Sequence, residues 1–587
     1  MRRTTKARVL AAGLAVALLA AACGGDDGDG GAATGTTGGP ATTVAKTPVT
    51  GGTLTFANFS EPASLDSMVS TGSGTTGGTE MAMVFDTIAR YNPQSKKYEP
   101  RTAESITPNA DFTEWTVKLR PNIKFSDGTA YDAEAVVWGL NRHRVGTGIP
   151  AAQCATYFAC PRNTTSSGVY MALVKDIQVV DPVTFKVTMN QAWPGFQYAL
   201  SDEAAMIPSK AALAKACTDA TQPVRTCAFG LAPVGAGPFL VQGFKPKEVI
   251  NFVRNPNYWG GPVRLDAVNV ISPNDQGGAK TYDTFKSGTA QAAYLRSPSS
   301  VDESKKDAAV SKATSFSELN YGGGLILFNM GTPVTCTGGQ PANVCAGKAD
   351  GTVTESDPPT KRLKVRQAVA AAIDPKQINT RANNGVGLPG SEVFQKGFNW
   401  DPGVPGPKYD LDLAKKLVAE AKAEGWDGRI RMLYSNGQFA VDVAQTTASM
   451  LQAAGFTVDV DTSKDTTAQV TQVATRRDFD LSGWGTNITN DDGYIAALAQ
   501  NLSSTSPSNR VGLKNTAVDK AIQDLWSAKT DAERTSLNKI IAEELNKEVP
   551  WYVWSAIEAR VIFSNKVNGV QQNHSGVFFL HDAWLEK

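Results

Sequence analysis

RIRMLYSNGQFAVDVAQTTASMLQAAGFTVDV, residues 429–460, followed by FDLSGWGTN at 479–487, is the stretch on which the fold turns. Arg429 to Tyr434 reads as a strand. A helix follows, with Val443, Thr447, Ala448 and Leu451 on one face and Gly455 just past its end, where glycine accepts a left-handed backbone. Phe456 to Val460 alternates as a second strand, a polar helical stretch intervenes, and Phe479 to Gly483 makes a third. Strand, helix, strand, helix, strand is the pattern of a parallel α/β sheet. Ligands of such sheets sit beyond the carboxyl ends of the strands, which here points to Trp484, Gly485, Thr486 and Asn487. An aromatic ring beside small and amide-bearing side chains suits a polar pocket; a buried tryptophan closing a strand is the alternative.

Working outward, the other periodic segments read as scaffold. Lys364 to Ile373 carries Val365, Ala368, Val369 and Ala372 on one face and stops at Asp374-Pro375, which restarts a helix as cap and first residue. Asp410 to Glu424 places Leu413, Leu417 and Ala421 at four-residue steps and closes at Gly425. Residues 100–190 read as a compact α+β unit. There Trp115, Val117 and Leu119 alternate as a half-buried strand, Asp132 caps a helix running through Leu140, and Ile177–Val180 and Phe185–Met189 flank a turn at Asp181-Pro182. Near the start, Thr53 to Ala57 resembles a strand, and Thr71 to Gly78 is a Gly/Thr loop without the strand and helix context of a phosphate cradle.

The chain has 587 residues, more than one core usually supports, so two or three domains are expected. Its first 22 residues hold a basic start and an apolar run, Val9 to Ala22, that is short for a membrane span and suited to a signal peptide. Cys23 follows Ala20-Ala21-Ala22 and reads as a lipidation site, although Leu19 stands one position farther from it than the usual lipoprotein box has. An ordinary small-residue cleavage site is the other reading. Residues 23–52 then form a Gly/Thr/Ala-rich tether of about 30 Å reach by coil scaling. Removing Arg2, Arg3, Lys6 and Arg8 with the leader turns the formal charge of +1 into −3, which leaves no electrostatic footprint for nucleic acid.

Six further cysteines fall into close pairs: Cys154 with Cys160, Cys217 with Cys227, and Cys336 with Cys345. In an exported chain these read as local disulfides. None has CxxC spacing and no histidine lies near one, so no structural metal is expected. The three histidines, His143, His574 and His581, are too few and too scattered for capture of a transition metal. No GxSxG, HExxH, P-loop or His-paired cysteine is present, and the adjacent Asp491-Asp492 reads as a solvated loop pair. A non-catalytic protein without a cofactor is the expectation.

Several motifs occur in order along the chain. Val234-Gly235-Ala236-Gly237-Pro238-Phe239 precedes Arg254-Asn255-Pro256-Asn257-Tyr258-Trp259, close to GTGPY and RNPxYW signatures. Leu119-Arg120, Phe125-Ser126-Asp127-Gly128-Thr129, Val365-Arg366-Gln367-Ala368, Tyr409-Asp410 and Gly483-Trp484-Gly485 accompany them. Together they resemble the family 5 extracellular solute-binding proteins, the peptide and nickel branch of ABC importers, over roughly residues 50–587.

The resemblance implies an α/β, periplasmic-binding-protein-like fold of two lobes. Lobe one would comprise 53–92, 230–317 and 550–587, with an α+β subdomain, 93–229, inserted in it; lobe two would be 318–549. Chain crossings near Tyr321 to Asn329 and Pro550 to Ser555 would be the hinge. It implies a monomer anchored outside the cytoplasmic membrane, delivering a peptide or small polar solute to a permease and ATPase. Trp484, Gly485, Thr486 and Asn487, with Asp491, would contact the ligand, and Phe56, Glu61 and Ser64 would close from the other lobe. Peptide-binding relatives hold the ligand's amino end with an aspartate three residues after the tryptophan, where this chain has Asn487. The amide offers no charge for an ammonium, unless Asp491 or Asp492 takes that place. A lipoprotein of the same fold acting in cell-envelope assembly or regulation is the second class left open, since fold does not fix function.

Overall fold

Residues 429–484 fold as their periodicity dictates in the computed structural model, which describes residues 47–160, 166–311 and 313–587. Strand Arg429–Ser435, helix Gln438–Ala453, strand Thr457–Lys464, a short helix Thr466–Thr471 and strand Leu481–Trp484 follow one another. The first strand pairs in parallel with both of the others. Val443, Thr447, Ala448 and Leu451 are the buried face of the helix, and Gly455 takes the left-handed φ of 96° that ends it. The segments expected to be a signal peptide and most of a tether, with Cys23, lie outside the described residues.

This parallel set is one end of a long mixed sheet. Beyond Leu481–Trp484 come two long antiparallel strands, Ser315–Phe328 and Trp551–Phe563, and then Ala292–Leu295, Thr53–Ala57, Ala267–Ile271, Val249–Arg254 and Phe239–Lys245. Thr53–Ala57 is parallel to both its neighbours, so the far end carries a second parallel set. Within this sheet, as described, the two sets are joined through the antiparallel pair, here termed the crossover strands. Their register is irregular between Asn320 and Leu325, across Tyr321 and three successive glycines. Glycine lowers the cost of backbone change, and this is where the ribbon can bend.

Residues 103–189 add a separate four-stranded antiparallel sheet. Its strand Glu114–Leu119 buries Trp115, Val117 and Leu119, and Asp132 caps the following helix by accepting from the Ala135 N–H at 3.0 Å. All three cysteine pairs are bonded: Cys154–Cys160, Cys217–Cys227 and Cys336–Cys345.

The ordered motifs are scaffold, for visible reasons. A Cβ on Gly237 would stand 2.4 Å from the Met83 carbonyl oxygen, so only glycine lets that loop lie on the helix Gly78–Phe85. Asn255 donates its amide to the Gly237 carbonyl at 2.9 Å and accepts from the Asn257 N–H at 3.0 Å, fixing the turn at Pro256. Tyr258 is buried and donates to Asp86 at 2.6 Å, beside the buried ion pair of Asp86 with Arg101. Among the described residues no helix is long and apolar enough to cross a membrane.

Candidate functional site

The carboxyl ends of both parallel sets point at the crossover ribbon. From one side come Tyr294 and Arg296 at the end of Ala292–Leu295, with Ser73 and Thr75 of the Gly/Thr loop; from the other come Asn487 and Thr489, just past Leu481–Trp484. Glu318 and Asn320 of the first crossover strand complete the wall. The space they enclose is about 20 Å3, room for a water-sized group, so the two sides are closed on one another.

A guanidinium and a buried carboxyl face this space. Arg296 forms no ion pair among the described residues; its guanidinium lies 5.5 Å from the Phe59 ring centre, and burial lowers its pKa. Glu318 accepts from the Ser575 N–H at 3.2 Å, and burial, reinforced by the Asp491 carboxylate, pushes it up to about 8. Asp491 is itself raised by burial, opposed by the neighbouring His574. The closed cavity thus places, among the described residues, a guanidinium without an ion-pair partner on one wall and a carboxyl on another.

The residues expected at the site separate into three groups. Asn487 is exposed at the cavity and accepts from the Asn320 amide at 3.0 Å. Trp484 is half-buried with the Arg510 guanidinium 5.0 Å from its ring, and Gly485 is exposed beside it. Thr486 is buried, with its N–H at 2.8 Å and its hydroxyl at 3.3 Å from the same Gly322 carbonyl, so it clamps the strand end to the ribbon. The expectation of a solvated Asp491-Asp492 pair is corrected. Asp491 is 4% exposed and accepts from the Gly493 N–H at 2.8 Å. Asp492 is held by Arg534 at 2.6 Å and by the Tyr98 hydroxyl at 2.9 Å.

The contacts expected from the other side are also corrected. Phe56 is fully buried, edge-on to Phe578 at 5.1 Å, because alternation puts it with Leu54 on the core face of its strand. Ser64 is buried and turned to its own loop, accepting from the Asp66 N–H at 3.0 Å. Glu61 accepts from the Lys247 N–H on the hairpin of Phe239–Lys245 and Val249–Arg254. Arg296, Glu318, Asn320, Thr489 and Ser575 stand at the cavity instead. For Arg296 the available signal was its place one residue past a parallel strand; for the crossover residues no local pattern marks them.

Comparison with known proteins agrees with this architecture. The glutathione-binding protein GsiB of Shigella dysenteriae serotype 1 is 25% identical over 76% of this chain and 78% of its own. Heme-binding protein A of Haemophilus influenzae is 22% identical over 86% of this chain and 87% of its own. Among solved structures, the dipeptide-binding protein from Pseudoalteromonas sp. SM9913 in complex with Met-Leu superposes with a TM-score of 0.69 at 18% identity, over 91% of this chain and all of that one. The agropinic-acid complex of AgaA from A. tumefaciens R10 gives 0.68 at 21% identity, over 91% of this chain and 99% of that one. The model of the bacterial extracellular solute-binding proteins, family 5, matches residues 97–506. With its two parallel sets facing across a crossover ribbon, and most of its length matched by that model, the chain belongs to the family 5 bacterial extracellular solute-binding proteins.

Proposed function

We propose that this protein captures a small solute bearing both an ammonium and a carboxylate, a short peptide or a similar compound, and delivers it to an ABC permease and its ATPase. In this reading Cys23 carries a lipid that holds the protein to the outer face of the cytoplasmic membrane. Lobe one (53–92, 230–317 and 550–587, with 93–229 inserted) closes on lobe two (318–549). No bond is made or broken, and the ligand's work is to favour the closed form that the permease meets.

The observation that carries the proposal is the cavity with Arg296 on one wall and Glu318 on another, unpaired with each other, between the carboxyl ends of the two parallel sets. Arg296 suits a carboxylate. Glu318, with Asn487 and Asn320 beside it, suits an ammonium, whose positive charge would favour the ionised carboxylate. Glutathione and Met-Leu, named for two of the similar proteins, each carry both groups.

The test is a thermal-shift and calorimetric screen of the detergent-purified protein, refolded to strip bound ligand, against peptides, amino acids, sugars and metal chelates. A saturable shift with zwitterions, lost in Arg296→Ala, is expected. Binding confined to sugars or chelates, or zwitterion binding untouched by Arg296→Ala, refutes it.

A further inference from the structure

Successive residues of an extended strand face opposite ways, and the crossover ribbon uses both faces. Glu318, Asn320 and Ala559 face the closed cleft. Leu319, Tyr321 and Ala556 face the other way and floor a second cavity, of about 600 Å3. Its walls come from residues 387–405, anchored where Leu388 and Pro389 pair with Ala556 and Ser555 of the ribbon. A further hollow of about 490 Å3 adjoins it across Pro389, Glu392 and Pro405. Among the described residues none of 53–92, 93–229 or 230–317 lines either space, and from 550–587 only Ala556 of the ribbon does, so the pair lies behind the ribbon.

The larger cavity has the size and character of a small-molecule site. Leu319, Phe394, Val404 and Pro405 give it an apolar body. Its polar wall is weighted toward acceptors: Glu392, Asp401 and Gln395 against one lysine, Lys396, whose side chain is exposed. Gln395 is 7% exposed, and its buried amide oxygen has no hydrogen-bond partner among the described residues. A buried acceptor left unpaired is costly and calls for a donor. Glu392 makes no ion pair among the described residues, and Asp401 has one oxygen engaged by the Gly403 N–H at 2.8 Å.

We infer that this rear pocket is a second binding site, for a small amphipathic amine whose apolar part lies on Leu319, Phe394 and Val404 and whose ammonium donates to Gln395 and Glu392. The site is separate from the cleft and does not depend on what the cleft captures.

The test uses the full chain and two matched probes, 2-phenylethylamine and 3-phenylpropionate, followed by calorimetry and thermal shift. The amine is expected to bind saturably, about tenfold or more tighter than the acid, as one charge-assisted hydrogen bond would give. Glu392→Gln should bring the amine down to the level of the acid, and Val404→Trp, which fills the cavity, should abolish its binding. Arg296→Ala in the cleft should leave it unchanged. Absence of saturable amine binding, or equal binding of the two probes, overturns the inference. So does loss of binding in Arg296→Ala with retention in Val404→Trp, which would put the amine in the cleft. Should Val404→Trp fail to fold, Glu392→Gln at its half-exposed position decides alone.

Discussion

The Asn320 amide donates to the Asn487 side-chain oxygen at 3.0 Å, tying the crossover strand to the loop that follows Trp484. The contact joins two neutral groups at the position where the family resemblance implies an aspartate in peptide-binding members. Asn487→Asp keeps an acceptor for Asn320 but adds a charge beside the Glu318 carboxyl. Above the raised pKa of Glu318 the two negative charges repel; below it Glu318 is neutral and the pair is tolerated. The unliganded variant should therefore melt below the wild type at pH 9 and much closer to it at pH 5, while binding ammonium-bearing peptides more tightly. Melting curves at the two pH values check the first part, and an unchanged gap between them would refute it.

The pH dependence of the wild type follows from the same group. Glu318 is raised from 4.5 to about 8 in the folded protein, chiefly by burial and next by Asp491. A carboxyl with a raised folded pKa binds its proton more tightly in the native state. Its contribution is thus fully present below about pH 4.5 and is lost as pH rises through about 8. The groups facing it are Asp491, which adds repulsion, and the backbone N–H groups of Ser575 and Gly576, which oppose the rise. Glu80, raised by burial to about 7, acts in the same direction elsewhere in the molecule. Stability should fall between pH 5 and pH 9, and Glu318→Gln should flatten part of that fall. Denaturant titrations across the range measure it; an identical slope in the variant would show that Glu318 does not titrate there.

Arg142 and Asp66 form an ion pair at 2.9 Å with side chains almost wholly buried, and Arg142 also donates to the Tyr157 carbonyl at 3.1 Å. Removing only the cation strands a buried carboxylate, so Arg142→Met should cost about 3–5 kcal/mol. Removing both charges, Asp66→Asn with Arg142→Met, should recover much of that loss. Urea denaturation of the two variants separates a stranded charge from lost packing, since packing loss alone would leave the double variant no better than the single.

How far these features could be read in the sequence depends on their range. The parallel set at 429–484 was legible because helix and strand periods are local and Gly455 marks a boundary. From it followed the carboxyl end of Leu481–Trp484, beyond which Asn487 lines the cavity. The burial of Phe56 is legible too, since alternation puts it with Leu54 on one strand face, and it outweighs the ligand contact that the resemblance implies. Glu318 carries no local signal, and Arg296 only its place one residue past a parallel strand. They meet because strands remote in sequence lie on either side of one ribbon, and no spacing within either strand announces the other. Asp491-Asp492 read as solvated for the same reason, since Arg534 and Tyr98 arrive from residues 42 and 394 positions away.

The distinction between scaffold and contact at the cleft is itself testable through Thr486 and Arg296. Thr486 is 4% exposed and spends its hydroxyl on the Gly322 carbonyl at 3.3 Å, leaving nothing to offer a solute. Thr486→Val keeps the shape and removes that hydrogen bond, for a loss of about 1 kcal/mol of stability with solute affinity nearly unchanged. Arg296 is the converse. Among the described residues it has no carboxylate partner to lose, so Arg296→Ala should leave the melting temperature of the empty protein close to wild type or slightly raised. Its affinity for a carboxylate-bearing solute should drop by about tenfold to a hundredfold, the loss of one charge-assisted contact. Calorimetry and melting curves on both variants give a crossed pattern, stability without affinity for one and affinity without stability for the other. If Thr486→Val instead lost affinity at unchanged stability, the threonine would have to leave Gly322 when the lobes open and meet the solute directly.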